Sequence, residues 1–398
     1  MDAERRKEII ATQKPEIPWA GEPSLGGYYT EAEFEAVSKT MAESNHPHIG
    51  FNAGSEVVTQ FEAAFAEYCG AEHCIVCNGA GTAQDMAMMV LDLEPGDEVI
   101  VPAINFKACG LSAAGQDAKV VWCDVDERTF QADPEDVERR MTERTRAIYP
   151  VHMNGMAAPI DDYLEIAERH PHPKYGPPKV IGDAARSCGT GYKGDKIGKR
   201  AWITTFSFHT MKLMTTLGEG GALVTSDAEV AEAARQVRGF GGPRWGTNYK
   251  MTNVQAAVGL VQLSRLEQML EERRQVAHER TEMLRGIPEI ELPYVPEECW
   301  HTFYLYTCKV PEEWAGEKRD RLMQIMAEEY GIRYVIANPP CYTHPWLSDN
   351  TDGHPLPRSE LLGKRMFCVP THPLMSRSDN EYICAALWET VERIREEG

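Results

Sequence analysis

The stretch Val180 to Ala222 reads VIGDAARSCGTGYKGDKIGKRAWITTFSFHTMKLMTTLGEGGA. One apolar run ends in Asp183, and a second, Ala201 to Phe208, leads into Lys212 and a Gly-Glu-Gly-Gly turn. Each run is short and bounded by turn or charged residues, which is the pattern of a buried strand. In an open α/β sheet, functional groups gather beyond the carboxyl ends of the strands. Asp183 and Lys212 are therefore expected in one crevice. A lysine can form a Schiff base, and a carboxylate can hold a pyridine nitrogen protonated; pyridoxal phosphate (PLP) chemistry needs both. Opposite charges about 4 Å apart, at an effective dielectric of about 20, attract by roughly 4 kcal/mol, on the order of three pKa units. An anion at Asp183 could keep the ring an electron sink, and a neutral side chain could not shift it nearly as far.

Three other places carry candidate chemistry. The loop Asn78-Gly79-Ala80-Gly81-Thr82 follows a strand, His73 to Cys77, and opens a helix from Ala83. Small residues let a phosphate reach the backbone, and a helix N-terminus offers free N–H groups and a favourable dipole. The loop lacks the lysine of a P-loop and the third glycine and trailing acid of a nicotinamide fingerprint; the bland reading is a tight turn before a buried helix. Phe106 lies just past the strand ending at Pro102, where an aromatic ring could stack on a flat heterocycle or simply fill core. Ser207 and His209 precede Lys212. Ser207 could bind phosphate; His209 is given no proton-transfer role. Asp183 alone would pass for a turn or cap residue, but Lys212 lies in a weakly charged run, unlike a solvated lysine.

The elements that must position these residues follow from the pattern. Residues 1–29 read as an extended arm, with Pro15, Pro18 and Pro23 as helix breakers. Glu31 to Glu43 is helical, with Phe34, Val37 and Met41 on one face. From His73 to Thr225, short apolar strands alternate with helices, which implies a mainly parallel sheet covered on both faces. A long helix from Asn253 to about Leu284 bridges to a smaller unit with a strand at Phe303 to Val310 and helices at Asp320 to Tyr330 and Asp379 to Arg395. The expected division is an arm at 1–29, a large domain at 30–265, and a small α+β domain with the bridging helix at 266–398.

Composition narrows the function classes. With 41 basic against 61 acidic residues, the 398-residue chain has a net charge of −20. That field repels nucleic acids and anionic membranes. No apolar run approaches the roughly 20 residues of a membrane span, and the charged N-terminus is not a secretory signal. The eleven cysteines are scattered, as expected of reduced thiols in a cytoplasmic protein. Cys74 and Cys77 form a C-x-x-C but are read as two positions of one strand, since no second pair completes a metal site.

Several separated segments, in order, carry a resemblance: GDEVIVPAINF (Gly96 to Phe106), AIYPVHMNG (Ala147 to Gly155), GDAA (Gly182 to Ala185), FSFHTMK with LGEGGALVTSD (Phe206 to Asp227), and NYKMTNVQAAVGLVQL (Asn248 to Leu263). From about residue 50 onward the chain resembles the DegT/DnrJ/EryC1 family of PLP-dependent sugar aminotransferases. The resemblance implies the PLP type I α/β fold. It implies Lys212 as the Schiff-base lysine, Asp183 as partner of the pyridine nitrogen, and Phe106 as the stacking residue. Ser207, Gly81 and Thr82 would hold the phosphate, with Asn248 reaching the phosphate of the neighbouring subunit in a homodimer. Arg186 stands beside the cofactor where the family often has Gln or His, and Lys250 stands where Arg is usual. The implied reaction moves an amino group from an amino acid donor, glutamate or glutamine, to a keto sugar or keto-cyclitol. A related keto-sugar dehydratase would carry histidine in place of Lys212. A non-catalytic regulator would not need the Asp183 and Lys212 pair.

Overall fold

Along the chain, α1 (Ala3–Thr12), α2 (Glu31–Ser44) and α3 (Glu56–Cys69) come before β1 (His73–Cys77). Helices and strands then alternate: α4 (Ala80–Leu91), β2 (Glu98–Pro102), α5 (Ala108–Ala114), β3 (Lys119–Cys123), α6 (Pro134–Arg140), β4 (Thr145–Ile148), α7 (Ile160–Arg169) and β5 (Lys179–Asp183). The two short strands β6 (Gly191–Tyr192) and β7 (Asp195–Lys196) lead to β8 (Ile203–Ser207), β9 (Gly221–Thr225) and α8 (Ala228–Arg238). The long α9 (Asn253–Leu284) is followed by β10 (Cys299–Trp300), β11 (Tyr306–Lys309), α10 (Glu317–Glu328), α11 (Pro357–Arg365), β12 (Met366–Val369) and α12 (Arg377–Glu396). This structure is a computed structural model and describes residues 1–51, 54–336, 338–348 and 355–397.

The central sheet has seven strands in the order β1-β9-β8-β5-β4-β2-β3. From β8 to β3 every pair is parallel, while β9 runs antiparallel to both β8 and β1. The chain steps outward from β2 to β3, then returns to β4 on the other side of β2. That reversal opens a crevice beyond the carboxyl ends of β2, β4 and β5, the usual ligand position in such sheets. The expected α/β architecture, with its mainly parallel sheet, is the observed one. Strand residues such as Ile75, Val99, Val101, Ile181 and Leu223 are fully buried, because a sheet covered on both faces needs apolar side chains on both.

A second core joins the far half of α9 (Val276, Ala277, Leu284) to Tyr306, Ile383 and Leu387, and it also takes in Ile9 and Trp19. The arm is therefore not extended throughout. Its first ten residues past Asp2 form α1, because all three prolines lie beyond Thr12 and the Asp2 carboxylate caps the helix by accepting the Arg5 N–H at 2.9 Å. Arg6 fixes α1 to α12 through Glu389 at 2.7 Å and Glu392 at 2.5 Å.

On α2 the buried residues are Glu33, Thr40 and Ser44, while Phe34 and Met41 are 62% and 52% exposed. The apolar face read from the sequence thus points away from this chain's own core. Thr30 and Glu33 form a capping box at its start, which accounts for the helix forming without burying that face.

Candidate functional site

Asp183 is the last residue of β5, flanked by β4 and β8, and its side chain is almost completely buried. One carboxylate oxygen, Oδ1, accepts the Ala185 N–H at 2.8 Å. The other, Oδ2, accepts from Gln84 Nε2 at 2.9 Å and from Cys109 Sγ at 3.0 Å. Burial pushes the carboxyl up from its ordinary range; the hydrogen bonds from Cys109 and Ala185 and the charges of Arg186 and Lys212 work against that. Hydrogen bonds to an ionised group stabilise by about 1.5–3 kcal/mol each, so three donors favour the anion.

Lys212 lies on the loop after β8. The loop is set by backbone bonds from Phe208 to Gly220, Thr210 to Gly218 and Thr216 to Phe208, with Leu213 and Met214 buried beneath. Lys212 Nζ donates to the Tyr304 hydroxyl at 2.8 Å and to Glu22 Oε1 at 3.4 Å. Tyr304 in turn donates to Glu22. Burial, and next the Arg186 guanidinium, push the Lys212 amine down to about 8, with Glu22 and Asp183 opposing. An amine poised near the working pH can both take and give a proton.

Ser207, Gly221 and Cys77 stand in one row across β8, β9 and β1. The loop after Cys77 therefore leaves the sheet beside Ser207, on the rim from which Lys212 also departs. There, among the described residues, α4 begins without a side-chain cap, and the first of its N–H groups with a backbone partner is that of Ala83, which donates to Gly79 O at 3.1 Å. A Cβ at Gly221 would come within 2.5 Å of Gly79, so only glycine lets the start of α4 lie against β9. Gly81 is exposed, and the Thr82 hydroxyl donates to Asn78 Oδ1 at 2.7 Å. Ser207 is buried, and its hydroxyl accepts the His209 N–H at 3.3 Å.

Arg186 is buried. Among the described residues it donates to the amide oxygens of Asn154 at 3.4 Å and Asn338 at 3.1 Å, and it lies within electrostatic reach of Lys212 and Asp183. Phe106 follows β2 and is 56% exposed; it is not core, which leaves its ring free to meet a ligand. Its neighbour Asn105 is fixed by Pro102 O at 2.6 Å and by the Cys341 thiol. Asn248 is exposed and does not cap α9, whose cap is Thr252. The adjoining Tyr249 carbonyl accepts the Asn78 N–H at 3.0 Å. The Asn248 segment thus borders the start of α4 despite the length of chain between them.

Four residues of this neighbourhood were not marked by the sequence. Glu22 and Tyr304 carry no local signal, since each reaches Lys212 only through the fold. Gln84 had one: it heads the apolar stripe of Ala87, Met88 and Leu91 on α4, and an amide there is out of place. Cys109 looks like any small apolar residue at a helix start.

The residues suit PLP in three respects. A buried carboxylate with an acceptor position to spare can face a pyridinium. An amine of lowered pKa can bond to an aldehyde. An uncapped helix N-terminus beside Ser207 can take a phosphate.

The family model for the DegT/DnrJ/EryC1/StrS aminotransferases matches residues 30–388. The chain is 36% identical over 340 residues to a GDP-perosamine synthase of Caulobacter vibrioides, covering 83% of this chain and 89% of that protein. It is 32% identical over 342 residues to dTDP-3-amino-3,4,6-trideoxy-alpha-D-glucose transaminase of Streptomyces venezuelae, covering 84% and 87%. A crystal structure of NtdA from Bacillus subtilis with bound cofactor PMP superimposes with a TM-score of 0.81 at 27% identity, over 91% of this chain and 83% of that one. The protein is a PLP-dependent aminotransferase and belongs to the DegT/DnrJ/EryC1/StrS aminotransferase family.

Proposed function

We propose that the enzyme transfers the amino group of glutamate or glutamine to a ketone on a sugar or cyclitol, working as a cytoplasmic homodimer. The observation that carries the reading is the convergence of Asp183, Lys212 and the open start of α4 on one rim of the sheet. Because the two named relatives make amino sugars carried on GDP and dTDP, a nucleotide-linked keto sugar is the favoured acceptor over a free sugar or keto-cyclitol.

Bound PLP supplies an electron sink for the electrons released when a C–H bond next to nitrogen is broken. The chain's own residues do the rest. Asp183 holds the ring nitrogen protonated. Ser207, Gly81 and Thr82 would bind the phosphate, Phe106 would lie against the ring, and Arg186 would stand beside its oxygen. Lys212 anchors the cofactor, and once released it carries a proton between the substrate carbon and the cofactor. Its amine, pushed down to about 8, is suited to that work near neutral pH. Asn248 reaches the phosphate of the partner subunit. The exposed Phe34 and Met41 of α2, with Phe240 and Trp245 before Asn248, supply apolar surface of the kind a dimer covers. No disulfide joins the cysteines among the described residues, which suits a reducing compartment. The division into 1–29, 30–265 and 266–398 is proposed with this reading.

Incubation with glutamate or glutamine and a panel of keto sugars and keto-cyclitols tests the proposal. Release of the donor's keto acid that depends on one acceptor is expected. Loss of water from the sugar with no amine gained would favour a dehydratase instead, and no turnover of any acceptor would favour a regulator.

A further inference from the structure

Around Asp183 the structure holds a closed hydrogen-bond ring. Gln84 Nε2 donates to Asp183 Oδ2 at 2.9 Å, and it also points at Cys109 Sγ at 3.8 Å. Cys109 Sγ donates to the same Oδ2 at 3.0 Å. The directions are fixed. An amide has two N–H groups to give, and a thiol that accepts from one of them keeps its own hydrogen for the carboxylate. Burial, and then the negative charge of Asp183, push the Cys109 thiol well above its ordinary range. It therefore stays protonated and remains a donor.

The far side of the Gln84 amide argues that this ring has a purpose. Gln84 Oε1 is buried and has no hydrogen-bond partner among the described residues. An orphaned buried acceptor is a defect that stability alone would remove, and an apolar side chain at the head of the Ala87, Met88 and Leu91 stripe would remove it. Flipping the amide offers no escape, because Oε1 would then face the carboxylate. The unpartnered oxygen accompanies the second donor that Gln84 gives to Asp183.

The acceptor count shows what the ring achieves. A carboxylate has about four lone-pair positions. Ala185, Gln84 and Cys109 occupy three of them. Both donors of the ring fall on Oδ2, so the position left over is on Oδ1. The carboxylate cannot rotate without breaking all three bonds.

We propose that Gln84 and Cys109 are positioning residues, which hold the Asp183 carboxylate ionised and turned so that one acceptor position, on Oδ1, is left for the cofactor's ring nitrogen. This rests on the reading of Asp183 as the partner of that nitrogen. The start of α4 would face the phosphate, and Gln84, two residues beyond Thr82 on the same helix, reaches the carboxylate. One helix would thereby index both ends of the cofactor.

The test uses the holoenzyme loaded with PLP carrying a 15N label in the ring, whose chemical shift separates a protonated from a neutral nitrogen. Gln84→Met keeps the volume and removes the donor together with the orphan. Cys109→Ala removes the thiol, Cys109→Ser restores a donor, and Asp183→Asn is the control. Gln84→Met and Cys109→Ala are each expected to move the ring nitrogen toward the neutral shift. Each should lower kcat about ten-fold, as loss of a hydrogen bond to a charged group would, with KM for the amino donor nearly unchanged. Cys109→Ser should keep the parent shift. Gln84→Met should melt no lower than the parent, because an orphaned acceptor has gone; a merely structural glutamine would give a lower Tm and an unmoved nitrogen signal. A signal unchanged in Gln84→Met and Cys109→Ala but shifted in Asp183→Asn would overturn the inference and leave the role of Asp183 standing. A signal unchanged in Asp183→Asn as well would remove that role, and the inference with it.

Discussion

The two walls of the site are built differently. One is the rim of the sheet: Asp183 at the end of β5, Ser207 at the end of β8, and Gln84 and Cys109 from the helices packed on it. Its groups are buried and tied to near neighbours in space, and the parallel ladder fixes their spacing. The other wall wraps over from outside. Glu22 comes from the arm and Tyr304 from beyond α9, 190 and 92 residues away from Lys212 in the chain. The buried Arg273 guanidinium holds the wrap, donating to the backbone carbonyls of Gly26, Thr371 at 2.7 Å and Tyr304 at 3.4 Å. His372 adds a contact to Leu25 O at 2.9 Å. A Cβ at Gly26 would come within 2.3 Å of Lys212 O, so the arm lies directly on the lysine loop. On the proposed reading, the rim decides which chemistry is possible, and the wrap adjusts the charge state of the one group, Lys212, that both walls share.

If that division holds, substitution of Lys212 or Asp183 costs most of the turnover, and wrap substitutions retune it. Lys212→Ala carries the largest effect: transamination should fall by more than about a thousand-fold. Borohydride treatment of the parent enzyme should fix the cofactor to the peptide containing Lys212. An adduct on Lys193, Lys196 or Lys250 would sink the assignment. Asp183→Asn comes next, with an expected loss of about a hundred-fold or more while PLP still binds. The amide can keep a hydrogen bond but not the charge, and activity within a few-fold of the parent would show that the rim does not set the chemistry.

A third measurement asks whether the wrap extends to a second chain. With Thr252 as the cap of α9, Asn248 is not needed to start that helix, and Asn248→Ala should leave Tm nearly unchanged. Loss of a charged hydrogen bond to phosphate should weaken PLP binding about ten-fold. Mixing Lys212→Ala with Asn248→Ala chains, at a PLP concentration low enough that each is inactive alone, should restore partial activity, because one site of the heterodimer regains both groups. No recovery despite confirmed subunit exchange would return Asn248 to its own subunit, a placement that the bond between Asn78 and Tyr249 makes sterically reasonable.

The two walls also differ in how far the sequence reveals them. Asp183 and Lys212 were legible because a strand end is a local event: an apolar run stops at a charged residue, and sheet topology supplies the rest. The α4 loop was legible for the same reason, and so was the full span of α9. Glu22 and Tyr304 were not, since nothing within a few residues of either encodes a meeting through Arg273, itself one of many polar residues on a long helix. The arm misled because three prolines drew attention away from the ten helical residues before them, where Asp2 caps and Ile9 packs. On α2 the pattern gave the right helix, but its exposed apolar face belongs to no core within the chain. Cys109 hid inside an apolar stretch, where composition predicts packing; Gln84 stood out as an amide in an apolar stripe, but only the fold brings the carboxylate to them.

The smallest expected effect sharpens the comparison most, because its sign differs between two residues that flank the same amine. On the proposed role of Lys212, its amine must be neutral to bond to the cofactor's aldehyde, so uptake of PLP by the cofactor-free enzyme should rise with pH and level off above about 8. Glu22 raises the amine's pKa and Arg186 lowers it. Glu22→Gln removes the anion, the ammonium loses a partner, and the midpoint should move to lower pH. Arg186→Gln removes a repelling cation, and the midpoint should move to higher pH. At pH 7, below both midpoints, the first variant should take up cofactor faster and the second more slowly, each by about three-fold for half a pKa unit. Rapid-mixing absorbance at several pH values measures this directly. Raised salt should shrink both shifts only modestly, because Lys212 is largely shielded from solvent and screening acts mainly on exposed charges. Midpoints that move in the same direction in both variants would mean that substitution loosens the loop, and that the arm does not tune the lysine through charge.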